Sequence, residues 1–307
     1  MDKRRVVTDI MTIALVAAMV GVAELLGEKE IIFPEITALA IGAWIAPQQV
    51  WRTNRLRIVL MIAIFAVLGV CLVRYLPLTL YLQVIIAFAI VSVGFLLSGT
   101  TFAPVISAMV LPVLLGTTSW VYPLAATAMA LIIVIGQWFL ERLGLYPHGE
   151  FTPLPLPDQA KWWSLLKRII ILAVIAALAL GMDSRFCIAP PLLVAFTEFS
   201  SPQCPGRKHP LKAILLITGC ALAGALCRLL FSVTWGLPLT IAAILATAII
   251  IYAKRTLKMY LPPAGAIGIL AMLIPQSELW WYPVEILVGC TLLLLAALLF
   301  FREPKNR

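Results

Sequence analysis

Long apolar runs follow one another along nearly the whole sequence, with only short polar breaks between them. Hydrophobic residues make up 63% of the 307 residues and charged residues 12%, and the mean hydropathy is +1.05. Soluble domains average nearer ~45–50% apolar and ~25% charged residues. A water-soluble fold of this size could not hide so much apolar surface. The sequence therefore predicts an all-α integral membrane protein and excludes disordered, collagen-like and nucleic-acid-binding proteins.

The sequence divides into twelve apolar runs, four of which are short and contain prolines. A regular spanning helix needs ~20 residues, with ~17 as a lower limit. The short runs could be re-entrant loops, or crossings that are partly extended and partly helical. The longer runs are Ile10–Leu26, Ile58–Val73, Leu80–Leu97, Trp120–Leu140, Leu165–Leu180, Leu211–Cys227, Leu237–Ala253 and Trp280–Phe301, and the short ones are Ile31–Ala46, Pro104–Gly116, Cys187–Phe199 and Leu261–Ile274.

The positions of the lysines and arginines favour crossings over re-entrant loops. With a cytoplasmic amino terminus and twelve crossings, nearly all of the 23 basic residues lie inside, as the positive-inside rule requires. Re-entrant runs would place the basic clusters at 52–57 and 207–212 outside. We therefore expect a multi-pass protein of the cell membrane with both termini in the cytoplasm and a retained first span. The exceptions on the outer side are Lys29, Arg74, Arg185 and Arg228.

The two halves of the sequence resemble each other at an offset of about 154–160 residues. We predict two tandem six-span repeats, 1–145 and 164–307, joined by a proline-rich cytoplasmic linker at 146–163. Each repeat could itself be a 3+3 inverted repeat, as in many transporters. The matching residues are Trp120, Tyr122 and Pro123 with Trp280, Tyr282 and Pro283, Arg74 with Arg228, Pro34 with Pro190, and Pro104 with Pro263.

The prolines of the short runs predict where a solute could bind. Proline suits the first turn of a helix, and the residue before it favours an extended backbone. Each short run should thus begin extended and turn helical at its proline, which places inverted pairs of helix N-termini partway through the membrane. Such N-termini attract anions. Alternatively, the prolines only kink packed helices. The candidate substrate-binding residues are Pro34, Thr37, Pro104, Ser107, Pro190, Pro191, Pro262, Pro263 and Gly265.

Ionisable residues inside apolar runs are further candidates, because charges at this depth are costly and usually functional. Glu35, Glu198 and Glu285 could couple transport to protons or ions, although Glu285 could equally be a paired structural carboxylate. Glu35 could also satisfy the helix dipole itself, which would disfavour an anion at its site. Arg74 and Arg228 could form an anion vestibule or simply reach to the interface.

Signatures of enzyme chemistry are missing from the sequence, which has no HExxH, GxSxG, P-loop or GxGxxG motif. We therefore expect no catalytic residue, no metal and no cofactor, and we assign no catalytic role to His148 or His209. The six cysteines lack metal-binding spacings and are expected to be free thiols.

Three segments of the second half, Ala189–Phe196, Ser201–Arg207 and Tyr260–Ile267, resemble the HPP family of integral membrane proteins. The resemblance covers roughly Phe186–Phe301, with Leu261 in place of the signature histidine. The first half matches more weakly, which is typical of a duplicated or diverged relative. Family members are regarded as membrane transporters, some linked to nitrite movement, so the resemblance implies a small-anion carrier. The family is usually described as four-span, which would make two of the short runs re-entrant.

We therefore predict a transporter or facilitator of a small solute, with a small anion (nitrite-like or an organic acid) as the favoured class. One alternative is a membrane-embedded enzyme or assembly subunit that acts on lipid-linked substrates. Another alternative is a passive channel. The expected partners are the lipid bilayer and the small-molecule substrate, with a homo-oligomer as a further option and no nucleic acid.

Overall fold

The computed structural model describes residues 3–147 and 151–301, and within these ranges the fold is helical and contains no strand. His148, the last residues of the chain and the first two lie outside the described residues. The helices are α1 (Lys3–Leu26), α2 (Glu35–Ala40), α3 (Arg55–Tyr75), α4 (Leu80–Leu97), α5 (Val105–Leu115), α6 (Val121–Arg142), α7 (Gln159–Gly181), α8 (Pro190–Phe199), α9 (Pro205–Lys208), α10 (Pro210–Cys227), α11 (Leu239–Thr256), α12 (Pro262–Leu270) and α13 (Tyr282–Phe300).

Eight of the described helices are long and apolar enough to cross a membrane: α1, α3, α4, α6, α7, α10, α11 and α13. Large apolar side chains such as Leu25, Leu124 and Leu211 are exposed on their outer faces, where lipid would cover them. The prediction of an all-α, multi-pass membrane protein is confirmed. Helix α2 continues as a π-helical turn at Ile41–Ile45, and α10 continues in the same way at Arg228–Thr234.

The four short runs become helical at their prolines, as predicted. Pro34 and Pro104 immediately precede α2 and α5, and Pro190 and Pro262 are the first residues of α8 and α12. The segments before them are only partly extended. Before α2 and α8 the chain forms 3-10 turns, at Lys29–Ile31 and Arg185–Ile188, because a 3-10 turn still satisfies some backbone groups in an apolar setting.

The run that contains α2 passes along the whole length of α1. The Phe33 N–H donates to the sulfur of Met19 (3.2 Å), which lies in the middle of α1. The Ala46 carbonyl accepts from Arg4 (2.7 Å), at the start of α1. The run is therefore short in helical residues only because its first part is not α-helical.

The run that contains α8 passes along α13 in the same way. The Phe186 N–H donates to Glu285 (2.8 Å), in the first turn of α13. Beyond the other end of α8, the Arg207 guanidinium donates to the Ala297 and Phe301 carbonyls (3.0 and 2.5 Å), at the end of α13.

The runs that contain α5 and α12 pass in the opposite direction. The Leu261 carbonyl accepts from Lys254 near the end of α11 (2.8 Å), and the Ile274 carbonyl accepts from Arg228 at the far end of α10 (2.6 Å). Likewise, the Thr101 N–H donates to the Arg52 carbonyl just before α3. All four short helices thus lie inside the bundle, and their adjoining segments reach opposite ends of it.

Two glycines allow these short helices to pack closely on their neighbours. A side chain at Gly69 of α3 would overlap the Met109 carbonyl of α5, and one at Gly224 of α10 would overlap the Gly268 carbonyl of α12. The tyrosine hydroxyls of Tyr122 and Tyr282 donate to carbonyls of the same short helices. Their acceptors are Ala108 (2.8 Å) in α5 and Ile267 (2.6 Å) in α12.

The close packing at Gly224 predicts opposite effects of the same substitution at two positions of α10. Gly224→Ala should lower the free energy of unfolding by about 1–3 kcal/mol, because the new methyl group overlaps backbone that cannot move aside. Gly219→Ala has nothing within 4 Å of the new Cβ and should be neutral or stabilising by up to about 1 kcal/mol. Thermal unfolding of the two variants in detergent tests this, and equal midpoints would contradict it.

Candidate functional site

The starts of α2 and α5 meet inside the bundle through a side-chain hydrogen bond. Ser107 Oγ, in the first turn of α5, donates to Oε1 of Glu35, the first residue of α2. Glu35 is 1% exposed and Ser107 is fully buried. Two helices that run toward opposite ends of the bundle therefore present their N-terminal ends to each other.

This contact leaves hydrogen-bonding capacity unused. Among the described residues, neither the second carboxyl oxygen of Glu35 (Oε2) nor the Thr37 hydroxyl has a hydrogen-bond partner, and both atoms are buried. Buried polar groups without a partner are rare and costly, typically by about 1–3 kcal/mol each. A polar solute or a proton at this position would find acceptors and a donor that the protein does not use itself.

The second half contributes apolar and small residues beside this cluster. Gly265, in the first turn of α12, lies against Thr37 and Ile41, and a Cβ at Gly265 would overlap the Ile41 side chain. Helix α8 packs against both α5 and α12. The structure thus brings Glu35, Thr37, Ser107 and Gly265 together. The remaining candidates are prolines, which are buried at the starts of the four short helices. These are Pro34, Pro104, Pro190, Pro191, Pro262 and Pro263.

Arginines bind the carbonyl ends of three of the four short helical segments. Arg4 donates to Ala46 after α2, and Arg228 donates to Ala271 and Ile274 after α12. Arg207 donates to the Phe199 carbonyl at the end of α8 (3.2 Å). A cation at a helix C-terminus offsets the negative end of the dipole, so these carbonyl ends are already neutralised, and Glu35 is the acidic group at the N-terminal ends of α2 and α5.

The two arginines predicted to form a vestibule lie in different surroundings. Arg228 is partly buried, and its guanidinium donates hydrogen bonds to the Ala271 and Ile274 carbonyls after α12. Arg74 is exposed, with its guanidinium 6.0 Å from the ring of Tyr75, as expected for a side chain that reaches to the interface.

The three carboxylates predicted to couple transport each bind a different partner in a different part of the bundle. Glu198 accepts from the Trp51 indole (3.1 Å), which links α8 to the loop before α3. Glu285 accepts the Phe186 N–H and so fixes the segment before α8. Of the three, Glu35 alone lies where two short helices begin.

Sequence reasoning missed two buried cations, because it assigned them to cytoplasmic loops. Lys254 is 1% exposed in the last turn of α11 and donates to the Leu261 carbonyl. Arg168 is 7% exposed on the inner face of α7. The sequence did contain a signal that these two cations are buried. Lys254 lies seven residues after the buried Thr247, and Arg168 lies three residues after the buried Leu165, so both have the spacing of a buried helix face.

The candidate site is closed to solvent in this conformation. Two grooves on the protein surface, of about 380 and 550 Å³, lie elsewhere: one is lined by apolar residues of α10 and α11, and the other includes Trp163 and Lys167 of α7. Within the described ranges no group of three or more His, Cys, Asp or Glu side chains could hold a metal ion. The cysteines are free thiols, as expected, and all but Cys71 are buried.

Comparisons with known proteins concern mainly the second half. No curated protein and no solved structure matches the chain. Residues 155–307 match the family model described as HPP, transmembrane region. The matched segment begins just before α7 and includes α8 and α12 with their paired prolines. The second half of the chain therefore belongs to the HPP transmembrane family.

Proposed function

We propose that the protein is a membrane transporter of a small solute, with a small anion as the favoured class, and that the solute binds where the short helices begin. The observation that supports this most is the buried contact between Glu35 and Ser107, with the unpartnered Glu35 Oε2 and Thr37 hydroxyl beside it. Short, proline-interrupted helices that meet inside a bundle are typical of transporter binding sites.

The proposal includes a topology of twelve crossings in two six-span repeats. Equivalent contacts recur in the two halves and support this topology. Tyr122 and Tyr282 each donate a hydrogen bond to a carbonyl of the neighbouring short helix. Gly69 and Gly224 each let a carbonyl of a short helix approach closely, because they have no side chain. Between the halves, α1 packs on α11 as α4 packs on α7, and α2 packs on α12 as α5 packs on α8.

Opposite directions of α2 and α5, and of α8 and α12, support an inverted repeat within each half. The distribution of basic residues favours cytoplasmic termini and the cell membrane. In this orientation Arg4 and Arg207 bind carbonyl ends at the inner side, and Arg228 does so at the outer side.

Glu35 gives the proposed site a way to couple solute and proton. An ionised Glu35 would repel an anion and would itself occupy the N-terminal ends of the helices. A protonated Glu35 would leave those ends free for an anion and could donate a hydrogen bond to it. Anion entry is therefore coupled to proton uptake at Glu35, in the same direction.

The closed surroundings of the site favour alternating access over a passive channel. Glu35, Thr37 and Ser107 are all buried, so a solute reaches them only after neighbouring helices move. Saturable uptake and exchange would distinguish a carrier from a channel, whose flux rises linearly with concentration. The enzyme alternative requires a co-substrate or partner, and a carrier works alone in liposomes.

Removing the hydroxyls of the proposed site should impair transport without unfolding the protein. We expect the double variant Thr37→Val, Ser107→Ala to lower the initial rate of nitrite or formate uptake into proteoliposomes at least tenfold. Thr247→Val is the matched control, because the Thr247 hydroxyl is also buried but only bonds the Ala243 carbonyl of its own helix. Unchanged uptake by a well-folded double variant would count against the site.

Replacing Glu35 should uncouple uptake from the proton gradient. Wild-type uptake should rise as the outside is made more acidic, because the anion enters with a proton. Glu35→Gln, which is permanently neutral, should retain anion exchange and lose accumulation driven by the pH gradient. Glu285→Gln serves as the control, since Glu285 bonds backbone away from this site. If Glu35→Gln accumulates the anion as the wild type does, Glu35 is not the coupling residue.

A further inference from the structure

Arg168 lies on the buried face of α7. The buried residues of α7 follow a helical stripe through Leu165, Arg168, Leu172 and Ala176, and Arg168 is only 7% exposed. Its position is nine residues after Gln159, so it lies about 13 Å along the helix at 1.5 Å per residue. The side chain is therefore largely buried among helices, with its Nε fully covered.

Arg168 has no partner among residues 3–147 and 151–301. It forms no hydrogen bond, ion pair or ring contact there, and its Nε is fully buried. Three other buried or partly buried cations of the bundle are satisfied: Lys254 by one carbonyl, Arg228 by two, and Arg207 by three. Because a buried charge without a counter-charge is strongly unfavourable, the exception at Arg168 points to a ligand.

The neighbouring helix offers a second unused polar group toward the same end of the bundle. Helix α7 packs against α4, and Ser92 of α4 is fully buried with a hydroxyl that lacks a partner within the described residues. The Leu154 N–H before α7 donates to the Gly99 carbonyl after α4 (2.8 Å). The two helices are therefore antiparallel, and Ser92 and Arg168 both lie within the part that adjoins this contact.

We propose that Arg168 binds a small planar anion with two oxygen atoms, such as a carboxylate or nitrite, and that the Ser92 hydroxyl assists it. This inference rests on the proposed function, for which it adds an anion-binding residue outside the cluster at Glu35. The guanidinium presents a planar fork of N–H donors that matches two oxygen atoms at once. The anion supplies the counter-charge that the described residues do not provide.

A binding experiment tests this without requiring transport. The full chain is purified in a neutral detergent, and its thermal unfolding is followed by tryptophan fluorescence with sodium nitrite or sodium formate against sodium chloride at constant ionic strength. Nitrite or formate should raise the midpoint of the wild type and of Lys167→Gln, an exposed cation beside Arg168. Arg168→Gln should weaken binding at least tenfold, with Arg168→Lys between the two.

Two results would overturn the proposal: no anion-specific shift in the wild type, or a full shift in Arg168→Gln. The midpoint without anion gives a second readout. Arg168→Met should unfold at a higher temperature than the wild type, because it removes a buried charge that has no partner. A lower midpoint for Arg168→Met would indicate an arginine satisfied within the protein and would also overturn the proposal.

Lipid phosphate could supply the same anionic chemistry, and the experiment separates it from a free anion. The titration is repeated in phosphatidylcholine nanodiscs with and without phosphatidylglycerol. Stabilisation that depends on Arg168 and requires phosphatidylglycerol, but not nitrite or formate, overturns the free-anion proposal. Anion binding at Arg168 without any flux would support this inference and contradict the proposed transport. Flux that does not depend on Arg168 would support the proposed transport and contradict this inference.

Discussion

Every break in a membrane-embedded helix releases backbone groups that must find partners inside the protein, and this requirement organises the fold. Water is absent from the hydrocarbon region, so an unpaired N–H or carbonyl there is costly. The four proline-led breaks release many such groups, and side chains from outside each short helix bind them. These side chains are Met19 and Glu285 at N–H groups, and Arg4, Tyr122, Arg207, Arg228, Lys254 and Tyr282 at carbonyls.

The long helices and the broken short ones could be predicted from the sequence, because hydropathy and proline act locally. The partners of the released groups could not, since they belong to other elements and lie from 7 to 99 positions away along the chain. Glu35 and Ser107 are separated by 72 positions, and nothing near either residue indicates the other. Arg168 and Lys254 were misplaced for a different reason. Helix α11 extends beyond its apolar run, so Lys254 lies inside the helix. Arg168 falls within the run Leu165–Leu180 but was counted with the cytoplasmic residues.

In the proposed two-repeat arrangement, the halves share a framework and differ in their chemistry. At the offset that aligns Pro34 with Pro190, Glu35 corresponds to Pro191. At the offset that aligns Pro104 with Pro263, Ser107 corresponds to Ala266. The polar cluster therefore lies in the first half, outside the segment that matches the HPP family. From the second half, the small residue Gly265 lies beside it.

The glycine contact between α10 and α12 determines which parts of the bundle can separate. Backbone touches backbone at Gly224 and Gly268, and Arg228 fastens the far end of α12 to the same helix. Helices α10 and α12 are therefore closely packed on each other, and α3 packs on α5 in the same way at Gly69. The seam at Gly265 and Thr37 joins different halves of the chain, and among the described residues no hydrogen bond links α2 to α12 there. Opening along that seam would expose Glu35 and would leave the hydrogen bonds of Arg4, Arg207 and Arg228 to the carbonyl ends of the short helices intact.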